Sequence, residues 1–269
     1  MTATATATAA QDRKVHTTPH RIPLTRIVGV ELRKSFDTRS GSWLLASIGI
    51  AAVVTTGAVI AWAPESEFSY GQFTLATGFP MSVILPIIAV LSITGEWSQR
   101  SGLATFTLVP RRGRVLLGKA IGAAIVAAAA TVVTFAVGAV GNVVGSAMAG
   151  TPAVWDLDAA DVGCFALGIM LMVFVGFGIG ALIRNSPGAI VAYMIYAFVA
   201  PGLLAFLSFN QTWFRDARPW VDFKHNQDAL LQGGSLTGEQ WTQLAVTSIV
   251  WVALPLFVAV VRVLRTEVK

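Results

Sequence analysis

Charge is scarce in this chain. Asp, Glu, Lys and Arg make up 12% of its 269 residues, about half of what a soluble globular protein carries. A single cysteine, Cys164, rules out an intramolecular disulfide, and no Cys or His lies near it in sequence to suggest a metal site. The three histidines are His16, His20 and His225. Two stand in the N-terminal tail and the third in a distant polar segment, so they supply no zinc-ligand spacing. Neither HExxH nor GxSxG occurs, and no acidic residue falls inside an apolar run to serve as a proton relay. The stretch GRVLLGKA, Gly113 to Ala120, approaches a phosphate-binding loop but has Ala120 where a magnesium-binding hydroxyl is required, and no strand-like run precedes it. Residues 1–20, opening MTATATATAA, lack the apolar core of a secretory signal and read as a disordered tail.

What the chain has in abundance is apolar length. It is 55% hydrophobic with a mean hydropathy of +0.68, and its apolar residues fall in blocks of about 20, enough at 1.5 Å per residue to cross roughly 30 Å of hydrocarbon. Six crossings are expected: Trp43–Trp62, a second from about Tyr70 or Leu75 to Ile93, a third within the run Val115–Met148, then about Val162–Ile183, Ala189–Leu207 and Trp241–Val261. The fold class that follows is all-α integral membrane. Pro80 and Pro86 predict a bent or partly broken second crossing, lining a cavity or merely kinked by packing. The third run exceeds one perpendicular span, so it must project, tilt or bend. Within it Gly141 and Gly145 form a GxxxG that would admit another helix, a weak sign of dimerisation. The turn Asn185–Gly188 is tight enough to require an antiparallel pair on either side. Ahead of the first crossing, Leu24, Ile27, Val28, Leu32 and Phe36 recur at near-helical spacing among Arg26, Arg33, Lys34 and Arg39; this reads as an amphipathic helix at the membrane surface or else a solvated basic linker.

The net charge of +5 raises nucleic acid as a partner, but the Lys and Arg residues cluster at the ends of apolar blocks, as orientation signals do. With six crossings both termini share a side. On it fall seven basic residues before the first crossing, five in the loop after the second, Arg184, and three at the C-terminus, leaving only Arg215, Arg218 and Lys224 opposite. The enrichment rule puts the terminal side in the cytoplasm and the polar segment Ser208–Gln240 outside.

The loop after the second crossing, EWSQRSGLATFTLVPRRGRVLLGK from Glu96 to Lys119, is the most distinctive stretch. It carries Arg100, Arg111, Arg112, Arg114 and Lys119. Glu96 stands four residues before Arg100, the spacing of a local helical ion pair. Alternatively, Glu96 and the run Arg111–Arg114 form a polar surface for a cytoplasmic partner.

The whole arrangement after residue 20 resembles the permease subunits of the ATP-binding-cassette type 2 exporter family. The resemblance rests on the lead-in ELRKSFDTRSGSWLL, six crossings with both ends inside, the connector at 95–119, and a sizeable outer segment before the last crossing. It implies that Glu96, Thr105 and Thr107, the step Pro110–Arg112 and Lys119 hold the positions of the family's docking element for a separately encoded ATPase. Arg100 and Arg114 in the same connector, and Glu31 and Arg33 in the lead-in, are then coupling candidates. It further implies that ATP and Mg belong to that partner and not to this chain, that a second permease subunit (a copy or a related chain) completes the pathway, and that transport proceeds by alternating access in a bacterial plasma membrane. Ser82, Ser92, Asn142, Tyr193 and Tyr196 are the polar groups that could meet a substrate, amphiphilic or lipid-like given the apolar surroundings. A membrane scaffold or sensor that binds a partner without moving anything would share this hydropathy.

Overall fold

The computed structural model describes residues 23–37, 39–98, 112–233 and 236–265. Among them every regular element is helical, as hydrocarbon demands of a backbone that must satisfy its own polar groups. Six of the helices are long and apolar enough to cross a membrane.

Helix α1, Leu24–Asp37, precedes the spans. The first span lies in α2, Arg39–Trp62; the second in α3, Tyr70–Ser98; the third in α4, Arg112–Ala149; the fourth in α5, Ala159–Ile183. The fifth, α6, covers Ser186–Asn210. Two short helices, α7 (Thr212–Val221) and α8 (Phe223–Leu231), form a hairpin. The sixth span opens α9, in which Gly238–Ser248 continues through a π-helical turn, Ile249–Ala253, into Leu254–Arg265. The tail 1–20 and most of the connector, including Arg100 and Arg111, lie outside the described residues.

Helix α3 is the hub. It packs most extensively against α5 and α4, and the core joins Met81, Leu85 and Ile93 of α3 to Ala127 of α4 and Ile169 and Phe177 of α5. Close approach needs small residues where aliphatic packing alone holds helices together. A Cβ on Gly176 of α5 would lie 2.7 Å from the Pro86 carbonyl oxygen, and one on Gly138 of α4 would lie 2.7 Å from the Thr74 hydroxyl. The Gly141–Gly145 pair is filled in the same way, by the Phe73 ring of α3 at 2.7 and 2.8 Å. That GxxxG therefore admits a helix, as expected, and the helix belongs to the same chain.

The second crossing is also not broken at its prolines. Both lie inside one 29-residue helix. Pro86 cannot donate to the carbonyl four residues back, Ser82, and the Tyr193 hydroxyl of α6 donates to that carbonyl at 2.7 Å instead. Helix α4 answers the question of the long third run: it is continuous for 38 residues, about 57 Å, so roughly half of it exceeds a perpendicular span.

Short caps set the turns. Asp158 and Asp161 build a capping box at the start of α5. At its end Arg184 takes a left-handed conformation, φ 56°, and Asn185 caps α6 by accepting from Gly188. The tight antiparallel connection expected from Asn185–Gly188 is thereby formed.

Candidate functional site

The most unusual chemistry lies where α1 meets the first turns of α4. Lys119 is 3% exposed and Glu31 9%, a degree of burial that charged side chains reach only when paired. Lys119 Nζ donates to Glu31 Oε2 at 2.6 Å and to the Ser92 carbonyl of α3 at 3.0 Å. Lys34 Nζ donates to the other oxygen, Glu31 Oε1, at 2.8 Å. One carboxylate therefore joins two ammonium groups, and one of these ammoniums joins three helices.

The backbone around the pair is shaped for it. Gly118 and Gly122 lie one turn apart on α4, and Ile27 and Glu31 lie one turn apart on α1. A Cβ at Gly118 would sit 2.6 Å from Ile27 Cγ2, and one at Gly122 would sit 3.6 Å from Glu31 Cβ. The absent side chain at Gly118 lets α1 approach closely enough for Lys119 to reach across, while Gly122 leaves ordinary contact distance. Burial raises the pKa of the Glu31 carboxyl, but the Lys119 and Lys34 charges and their hydrogen bonds outweigh that effect and leave it below its ordinary value. The carboxylate is the form held at neutral pH.

The coupling candidates thus divide. Glu31 and Lys119 face each other and are buried, whereas Arg33 is exposed and ion-paired with Asp37 at 3.7 Å. Arg114 is half-buried in the first turn of α4. Glu96 and Arg112 lie on helical backbone, with their side chains outside the described residues along with Arg100, Arg111, Thr105 and Thr107.

The substrate candidates are engaged within the chain. The hydroxyls of Ser82 and Ser92 donate to the carbonyls of Phe79 and Ala89 in their own helix. Asn142 is fully buried and its amide donates to the Val154 carbonyl at 2.9 Å, tying α4 to the loop before α5. Tyr193 serves the carbonyl freed by Pro86, and Tyr196 donates to Gln227 Oε1 at 2.7 Å. Of these five residues only Tyr193 and Ser82 are joined by a hydrogen bond among the described contacts, hydroxyl to backbone carbonyl, and the Tyr193 and Tyr196 rings lie 6.0 Å apart.

At the far end of the bundle, a cleft of about 280 Å³ opens among Ser69, Gln72, Asp156, Asp161, Phe165 and Gln232. Its carboxylates already serve local structure. Asp156 accepts from the Gly71 amide at 2.7 Å, and Asp161 accepts from the Asp158 amide at 3.0 Å. Among the described residues no cluster of His, Cys, Asp and Glu could hold a metal ion.

Sequence reasoning named Glu31 and Lys119 but not their pairing, and it missed Gly118 and Gly122. A small-xxx-small spacing directly beside a lone lysine in an apolar run was the available signal. In comparison with known proteins, the chain matches no protein-family model and no curated protein.

Proposed function

We propose that this chain is the membrane-spanning permease subunit of an ATP-driven exporter of the ATP-binding-cassette type 2 class, powered by a separate ATPase that docks beside α1 and the connector. The observation that carries the reading is the buried Glu31–Lys119–Ser92 junction. It fixes a short helix lying ahead of the spans to the ends of the second and third crossings, on either side of the connector. A push on α1 would reach both crossings through one ammonium group. The distribution of basic residues adds support, because it puts α1, the connector and both termini on the cytoplasmic side.

In this scheme the six helices form half of a pathway, a second permease forms the other half, and ATP with Mg stays in the ATPase. Closure of the ATPase shifts the permease between states only through contacts that differ between them. Glu31 and Lys119 then act behind the docking surface, and Arg33, Arg114 and the basic connector at its front.

The test is purification of the tagged chain from membranes, with identification of any ATPase that comes with it. The reading expects a stable complex that hydrolyses ATP, with Arg111→Ala/Arg112→Ala weakening ATPase recovery while membrane insertion is unchanged. An intact complex in that variant removes the connector from the interface.

One observation favours the second reading, a membrane scaffold or sensor without cargo: every polar group expected along a pathway is hydrogen-bonded inside the chain. A scaffold would retain the ATPase yet show hydrolysis indifferent to whether the permease is held in lipid or detergent.

A further inference from the structure

Two of the six crossings carry the same irregularity at the same depth. In α6, nine residues of α-helix precede a five-residue π-helical turn, Ile195–Val199, and eleven follow it. In α9, eleven precede the turn Ile249–Ala253 and twelve follow. Each turn closes with a bond one residue longer than usual, Ala200 N–H to the Ile195 carbonyl and Leu254 N–H to the Ile249 carbonyl. Each is followed, one residue later, by a proline: Pro201 and Pro255.

A proline in this position is one cause of such a turn, although α3 carries Pro80 and Pro86 without one. Pro201 has no N–H for the Ala197 carbonyl and its ring would strike that oxygen; Pro255 stands in the same relation to Trp251. Widening the preceding turn moves the carbonyl aside and keeps the chain helical, and a helix widened and freed of a bond at one point bends there. The two helices run antiparallel, and both turns fall near mid-span, so the weak points align. They also meet: the rings of Tyr196 and Trp251, one from each turn, lie 5.4 Å apart.

Those same two residues hold the α7–α8 hairpin. Tyr196 O–H donates to Gln227 Oε1 at 2.7 Å, and Trp251 Nε1–H donates to the Val221 carbonyl at 3.1 Å. A third tie, Asn226 Nδ2 to Thr247 Oγ1 at 3.1 Å, lies just ahead of the second turn. Phe223, Gln227 and Leu230 of the hairpin are essentially buried, so it reaches into the bundle and does not rest on its surface. The hold is incomplete in one respect. Gln227 Nε2 is buried with no hydrogen-bond partner, a desolvated donor that opposes the closed arrangement.

We propose that α6 and α9 are a pair of crossings hinged at proline-generated π turns, and that the α7–α8 hairpin is the clasp that locks both hinges through Tyr196 and Trp251. Release of the clasp frees the two turns together, because one body holds both. Elsewhere α6 is the least buried of the six spans and α9 among the less buried.

Hydrogen–deuterium exchange of the full chain in lipid nanodiscs tests this. Tyr196→Phe keeps the ring and removes one tie. Exchange is expected to rise about fivefold, the equivalent of one net hydrogen bond, in Thr212–Leu231 and in both turns, including Ile249–Ala253 on the helix that was not altered. A rise confined to Ile195–Val199, or no rise, overturns the clasp. Pro201→Ala with Pro255→Ala leaves the ties untouched and restores both amides; exchange in the two turns is expected to fall by a similar factor. Unchanged exchange in that variant overturns the hinges, and it remains informative should Tyr196→Phe fail to fold.

Discussion

Lys119 shows how one side chain can matter in opposite ways depending on its partner. An unpaired ammonium at 3% exposure would be strongly disfavoured. Paired with Glu31 and bonded to the Ser92 carbonyl, it ties three helices together, with a net stability that depends on the pair remaining whole. Lys119→Met removes the Lys119 ammonium from the buried Glu31 carboxylate and is expected to weaken α1 docking by roughly 3 kcal/mol. Adding Glu31→Leu removes the stranded charge and recovers most of that loss. Thermal unfolding of the single and double variants in nanodiscs checks both figures. The pair also sets a pH dependence. Because the Glu31 pKa is lowered on docking, its contribution is fully present above the undocked carboxyl value of about 4.3 and is lost as pH falls through the docked value. Exchange protection of α1 is therefore expected to be constant from neutral pH down to about 5 and to fall in more acid solution; a loss centred near pH 6.5 would point to a histidine instead.

Among the elements, the contacts that place α1 and α3 are decided by atoms that are absent. A methyl group at Gly118 would overlap Ile27 Cγ2, so Gly118→Ala is expected to loosen α1 by about 1–3 kcal/mol, with Ile27→Ala restoring space in the double variant. At Pro86 the missing atom is an amide proton. Tyr193→Phe leaves the Ser82 carbonyl without this donor and is expected to cost about 1–3 kcal/mol. In the Pro86→Ala chain, whose restored amide can serve that carbonyl, the same change should cost distinctly less. Equal costs in the two backgrounds would mean that the tyrosine is not the substitute donor.

These elements also mark how far the sequence could be read. The six spans, the Asn185 turn and the apolar class were legible because they depend on local composition and length. Glu31 with Lys119 was not, because the two stand 88 residues apart and a lysine at the end of a basic loop is ordinarily read as facing water. Gly141–Gly145 was legible as a close approach but not as to its partner: a GxxxG declares that something approaches closely, not whether it comes from the same chain. The π turns were not legible from Pro201 and Pro255 alone, since Pro80 and Pro86 stand in a crossing that stays α-helical.

For the whole molecule, the account joins an apolar six-helix body to a polar end that carries α1 and the roots of the connector. The exporter reading stands on that end facing the cytoplasm and on its being gripped by an ATPase. Helix α4 makes the matter measurable, since its 38 residues exceed a perpendicular crossing and its first turns, with Arg114 and Lys119, project on the α1 side unless tilt takes up the excess. The most direct measurement is labelling of Arg114→Cys in a Cys164→Ser chain by a membrane-impermeant maleimide, in sealed vesicles of each orientation. The account predicts labelling only where the cytoplasmic face is exposed, with protection when the ATPase is bound; labelling from the outer face would contradict it.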